Sequence, residues 1–173
     1  MTDDNLPNNP GVYTLIIKLS MESTIQVGRL GLEKFHKGIY TYTGSALGLM
    51  GAISLRGRIR RHLLPKKKKH WHIDYILTSE SAEIVTIVYS QTSSRIECEI
   101  SKAIERLEGA TTPIAGFGSS DCHKGCRSHL HYFSNSASKN LTRRIHKIQK
   151  ELHPTTQVLQ ISLKSNQEDK MKP

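Results

Sequence analysis

Apolar residues alternate with the strand period in three places along the chain. In "GVYTLIIKL" Tyr13, Leu15, Ile17 and Leu19 share one face, which predicts a strand over about 12–19. "GIYTYTG" puts Tyr40 and Tyr42 on one side of a second strand over 38–44, and "AEIVTIVYS" gives a third over 83–89. "TIQVG" is a further extended piece, and the glycines of "RLGLEKFHKG" mark turns. Helical spacing takes over in "AISLRGRIRRHLL", where Ala52, Leu55, Ile59 and Leu63 form a stripe over 52–63 that Pro65 ends. A second helix, over 97–108, presents Ile100, Ala103, Ile104 and Leu107, with Gly109 suited to its C-terminal cap. Between the two helices, "HWHIDYIL" reads as a short helix or turn. Beyond Phe133, Leu141, Ile145, Ile148 and Leu152 line one side of a basic amphipathic helix, and "TTQVLQISL" adds a candidate strand.

The pattern predicts an α/β fold: a small, mainly antiparallel three-stranded sheet flanked by helices, with a C-terminal helical extension. A chain of 173 residues accommodates one such core. The expected organisation is a flexible lead-in over 1–9, a main domain over 10–133, a basic amphipathic extension over 134–163 and a disordered tail over 164–173.

Charge narrows the partner. Lys and Arg number 25 against 15 acidic residues, a formal net charge of +10, which favours a polyanion such as nucleic acid. No apolar run approaches the roughly 20 residues of a spanning helix, so no membrane partner is expected and a cytoplasmic setting is. Three cysteines, Cys98, Cys122 and Cys126, are an odd number that argues against a disulfide framework and for a reducing compartment. Arg56, Arg60, Arg61, Lys66, Lys67, Lys68 and Lys69 are candidate phosphate contacts, with His72 beside them. Cys122, Cys126, His129 and His131 offer a Cys-x3-Cys-x2-His-x-His set from which a zinc site could be built, or an ordinary structural loop.

"GVY" at 11–13 and "YTG" at 42–44 resemble the two half-motifs of the GIY-YIG nuclease superfamily. Arg58 with His62 four residues later, and Glu97 opening a helix after a third strand, stand in its order. "GIYTYTGSALG", "RIRRHL", "HWHIDY", "IECEI" and "GFGSSDC" are together similar to a small branch of poorly defined function, found as single-domain proteins or fused to DNA-repair glycosylases. The resemblance runs from about Pro10 to Phe133. It implies a divalent-metal-dependent hydrolase of DNA phosphodiesters, acting in repair or on unusual DNA structures, with a DNA-repair protein as partner. Tyr42, or Tyr13 through hydrogen bonding, would orient or deprotonate the attacking water and His62 would relay its proton. Arg58 would contact the phosphate, and Glu97 would hold Mg²⁺ or Mn²⁺. The superfamily's asparagine falls near "GFGSSDC", where Ser119, Ser120 or Asp121 stands instead.

Two alternatives remain beside the nuclease: a non-catalytic nucleic-acid-binding module on the same scaffold, and a zinc-stabilised interaction domain. Glu97 also has a structural reading, since "SRIE" is a capping box with Ser94 as N-cap.

Overall fold

The computed structural model describes residues 6–134 and 137–161. Its elements in order are β1 Gly11–Leu19, β2 Ser23–Val27, β3 Gly31–Phe35, β4 Gly38–Ala46, α1 Leu55–Leu63, α2 His72–Leu77, β5 Ala82–Gln91, α3 Glu97–Glu105, β6 Leu130–Phe133, α4 Ser138–Leu152 and β7 Gln157–Gln160. The α/β class and the mainly antiparallel sheet are as expected. The strand number is not: the main sheet has five strands in the order β6-β4-β1-β5-β7, and β2 and β3 form a separate hairpin. β6 lay hidden because "LHYF" is a short piece inside a loop rich in glycine, cysteine and histidine; β7 corresponds to the candidate strand at the C-terminal end. The tail over 164–173 lies outside the described residues.

β1 is the centre of the sheet, antiparallel to β4 and to β5, with Tyr13 opposite Gly44 on one side and Tyr89 on the other. The strand period sorts its side chains between two cores. Tyr13, Leu15, Ile17 and Leu19 pack with Leu55 and Ile59 of α1 and Ile73 and Ile76 of α2, while Val12 and Ile16 pack with Ile100 and Ile104 of α3 and Leu141 and Ile145 of α4. The sheet is therefore a middle layer, buried on both faces, which is why β1 reads as an almost continuous apolar run.

The predicted 52–63 helix is split. Gly51–Ile53 is a 3-10 turn, and α1 proper begins after Ser54, whose hydroxyl accepts the Gly57 N–H as an N-cap. Ala52 is consequently exposed and leaves the stripe. The lead-in is packed where it is described: Leu6 is buried, and the carbonyls of Pro7 and Asn9 accept the N–H groups of Arg56 and Leu55 at the start of α1.

A polar cleft shared by two tyrosines, an arginine and a glutamate

The C-terminal half of β4, the N-terminal end of β1, α1 and the N-terminus of α3 converge on an open cleft of about 410 Å³. Tyr13, Tyr42, Arg58 and Glu97 all line it, and Trp71, Arg95, Asp121 and His129 complete its charged and aromatic wall. No residue of the β2–β3 hairpin lines it; Val27 and Phe35 instead anchor that hairpin in the core.

Two glycines make room for the phenols. A Cβ at Gly44 would sit 2.6 Å from the Tyr13 hydroxyl, and one at Gly118, whose φ is +70°, would sit 2.6 Å from the Tyr42 ring. The "YTG" triplet therefore has a packing reason: the glycine of β4 accepts the ring of its cross-strand partner Tyr13.

Tyr13 is fully enclosed and its hydroxyl lies 2.8 Å from Nε2 of His62. Burial raises the phenol well above its ordinary pKa, with a smaller push from Tyr42. It also lowers His62 to about 3, an effect to which Lys67 adds. Tyr42 is raised too, chiefly by burial and against the pull of Arg58. At neutral pH both phenols keep their protons and the imidazole is uncharged. Tyr40 faces the same way as Tyr42 but is spent on packing: its hydroxyl donates to the His36 carbonyl and its ring meets Phe35 and Tyr132.

Arg58 lies over the indole of Trp71, with its guanidinium carbon 3.9 Å from the ring centre, and that of Arg61 lies 4.3 Å from the same centre. Asp74, wholly buried, accepts both terminal nitrogens of Arg61 at 2.7 and 3.0 Å and the backbone N–H groups of His70 and Trp71. Burial alone would raise the Asp74 carboxyl, but these donors outweigh it and hold it below the usual range. "HWHIDY" thus bends the chain so that Trp71 backs the guanidinium of Arg58. His72 accepts the Gly118 N–H at Nδ1 and so braces the glycine beneath Tyr42.

Two buried polar atoms in the cleft have no hydrogen-bond partner among the described residues: Nε of Arg58 and Oε2 of Glu97. The capping-box reading of Glu97 does not hold. α3 starts at Glu97 itself with Ile96 at the N-cap and no side-chain cap, and Ser94 instead accepts the Ile96 N–H through its carbonyl. The carboxylate is left to the cleft. Asp121 lines the cleft beside it, whereas the Ser119 hydroxyl is buried with no hydrogen-bond partner among the described residues and Ser120 lines an adjoining hollow.

The basic residues divide. Arg61 is committed to Asp74, and Nε of Arg56 donates to the Leu6 carbonyl. Arg60, Lys66, Lys68 and Lys69 are exposed, on α1 and on the loop that leads into Trp71 at the cleft wall. Lys67 is half-buried and lowered to about 8, by burial first.

The expected zinc ligands are corrected in one position. Cys122, Cys126 and His129 do meet, but the fourth group is Cys98 of α3, and the four ligand atoms lie within 4.8 Å of one another. His131 is elsewhere: it belongs to β6 and its Nε2 pairs with the Ser101 hydroxyl at 2.9 Å. Sequence spacing concealed Cys98 because it comes from a helix 24 residues before Cys122. This Cys3His cluster could bind a metal such as zinc.

No helix among the described residues is long and apolar enough to cross a membrane. No curated protein and no solved structure matches the chain. A family model described as "Domain of unknown function DUF123" matches residues 12–152, from the strand carrying Tyr13 to the last residue of α4, and the chain belongs to that family.

Proposed function

We propose that the chain is a divalent-metal-dependent endonuclease-like domain of GIY-YIG type that hydrolyses phosphodiester bonds in DNA, in repair or in processing unusual DNA structures. One observation carries this reading. A buried guanidinium nitrogen and a buried carboxylate oxygen, neither with a hydrogen-bond partner among the described residues, belong to Arg58 and Glu97, which line the same cleft as two tyrosines. Leaving such groups unsatisfied is costly in a protein that has no use for them.

The donor set fits a hard cation. Mg²⁺ takes one or two protein carboxylates and keeps several waters, and Glu97 with Asp121 supplies that number. When bound, the cation would supply positive charge to a phosphoryl oxygen. Arg58, held over the Trp71 ring, would neutralise charge that develops on the phosphate. The buried Tyr13–His62 pair offers a proton path, from water to the Tyr13 oxygen and from the Tyr13 hydroxyl to Nε2 of His62. The exposed Arg60, Lys66, Lys68 and Lys69 would track the neighbouring backbone phosphates without reading sequence. A DNA-repair protein is the expected partner.

The second reading is a nucleic-acid-binding module, favoured by the fact that the two phenols and His62 are all shifted away from neutral titration. One assay separates the two: incubation of duplex, single-stranded, flapped and junction DNA with Mg²⁺ or Mn²⁺, comparing wild type with Arg58→Ala and Glu97→Ala. Metal-dependent nicking that disappears in both variants is the expected result. Binding without nicking, unchanged in both, would establish the module instead.

A further inference from the structure

We infer that Cys98, Cys122, Cys126 and His129 hold one structural Zn²⁺ whose task is to fix the N-terminus of α3, and with it Glu97, against the cleft. The metal assignment stands on its own geometry; the positioning of Glu97 rests on the function proposed above.

Three thiols and an imidazole are the donors of a closed tetrahedral zinc site, with zinc–sulfur bonds of about 2.3 Å and so sulfur–sulfur edges of about 3.8 Å. The sulfurs of Cys98 and Cys122 lie 3.3 Å apart, and Cys98 lies 3.7 Å from Nε2 of His129. All four donor atoms fall within 4.8 Å of each other. Sub-ångström to one-ångström shifts of the loop therefore complete the tetrahedron. Oxygen ligation of a hard cation is a poor match for this set, and soft thiolates select zinc among the divalent ions that need no redox chemistry.

The location gives the site its role. Cys98 follows Glu97 directly in the first turn of α3. Cys122 follows Asp121, the other carboxylate of the cleft. A small hollow of about 150 Å³ carries Cys98 and Cys122 on its wall and shares Glu97, Asp121 and His129 with the larger cleft. A helix N-terminus without a side-chain cap and a loop with little regular structure are thus tied at one point. With four protein ligands the ion has no open position, which marks it as structural and not as the ion that meets the phosphate.

Elemental analysis of the full chain, purified under reducing conditions without chelator or added metal, tests the assignment. One zinc per chain is expected, falling to near zero in Cys122→Ser/Cys126→Ser, whose two positions are only partly buried. Replacement by Co²⁺ should give the visible bands of a tetrahedral thiolate site. Near-zero zinc with all three thiols reduced, zinc retained by the double variant, or a native Cys98–Cys122 disulfide in mass spectrometry would each overturn it. For the positioning role, zinc removal should speed amide exchange in residues 100–104, whose N–H groups the first turns of α3 hold, while β1 and β4 stay protected. It should also weaken Mn²⁺ binding at the cleft about tenfold, the scale of outer-shell effects on a metal site. Unchanged exchange and Mn²⁺ affinity after zinc loss would refute that role. These readouts need no turnover, so they fail or succeed separately from the nuclease assay.

Discussion

The buried Tyr13 hydroxyl and Nε2 of His62 face each other at 2.8 Å, joining the central strand to α1 through two side chains whose titration burial pushes away from neutrality. His62 is held to about 3 by burial first, then by Lys67, with Arg58 and Arg61 acting the same way and Asp74 opposing them. The folded chain thus refuses a proton that the unfolded chain accepts near pH 6.5, its ordinary value. Stability should fall as pH drops through that window, by about 1.4 kcal/mol per pH unit from this group. Urea unfolding at about pH 7 and about pH 4.5 should show His62→Leu losing that part of the slope; a slope equal to wild type sinks the assignment.

Asp74 is the hinge pin of the Trp71 turn. Asp74→Asn removes the charge opposite Arg61, whose side chain is 16% exposed, and weakens the acceptors of two backbone N–H groups. Breaking a buried pair from one side costs about 3–5 kcal/mol. Chemical denaturation should show a loss of that size, with a shift in Trp71 emission as the guanidiniums over its ring move. A loss below about 1 kcal/mol would mean that the clamp is not structural.

Gly44→Ala places a methyl group 2.6 Å from the Tyr13 hydroxyl. The ring must tilt, at a cost of about 1–3 kcal/mol for overpacking, and the hydrogen bond to His62 should break. The ¹⁵N shifts of the His62 ring report this directly; shifts identical to wild type would show that the phenol has another place to go.

Glu97→Gln should separate function from fold. Its Oε2 has no hydrogen-bond partner among the described residues, so the free energy of unfolding should move by no more than about 0.5 kcal/mol while metal-dependent cleavage is lost. Arg58→Ala should reduce cleavage by about 10²–10³-fold, as for removal of one charge-stabilising donor. A large stability loss in Glu97→Gln would restore a structural role to this residue.

The strands carrying the two tyrosines and both principal helices were legible because each rests on short-range periodicity, whereas the grouping of Tyr13, Tyr42, Arg58, His62 and Glu97 came from the resemblance of their order along the chain to GIY-YIG motifs. What escaped depends on contacts distant in sequence. β6 is four residues inside a loop and becomes a strand only by pairing with β4. Cys98 joins the Cys3His cluster only when α3 meets the 118–129 loop. Trp71 supports Arg58 only because Asp74 gathers Arg61 and the backbone ahead of it. Capping chemistry misled in the opposite direction: Ser-x-x-Glu is a local signal, and at Glu97 the register of α3 overrides it.

Gln149 of α4, buried, donates to the Val12 carbonyl and to the Ser90 hydroxyl, spanning 137 residues of sequence in the first case. The second face of the sheet, with Val12, Ile16 and Val88, is covered in part by Ile100 and Ile104 of α3 and for the rest when Leu141 and Ile145 arrive. On the ribosome, where chains emerge at roughly 5–20 residues per second, that apolar face stays open for several seconds after its own strands have left the tunnel. α4, the last helix among the described residues, therefore sets how long that part of the apolar face of the newborn protein stays open to chaperones.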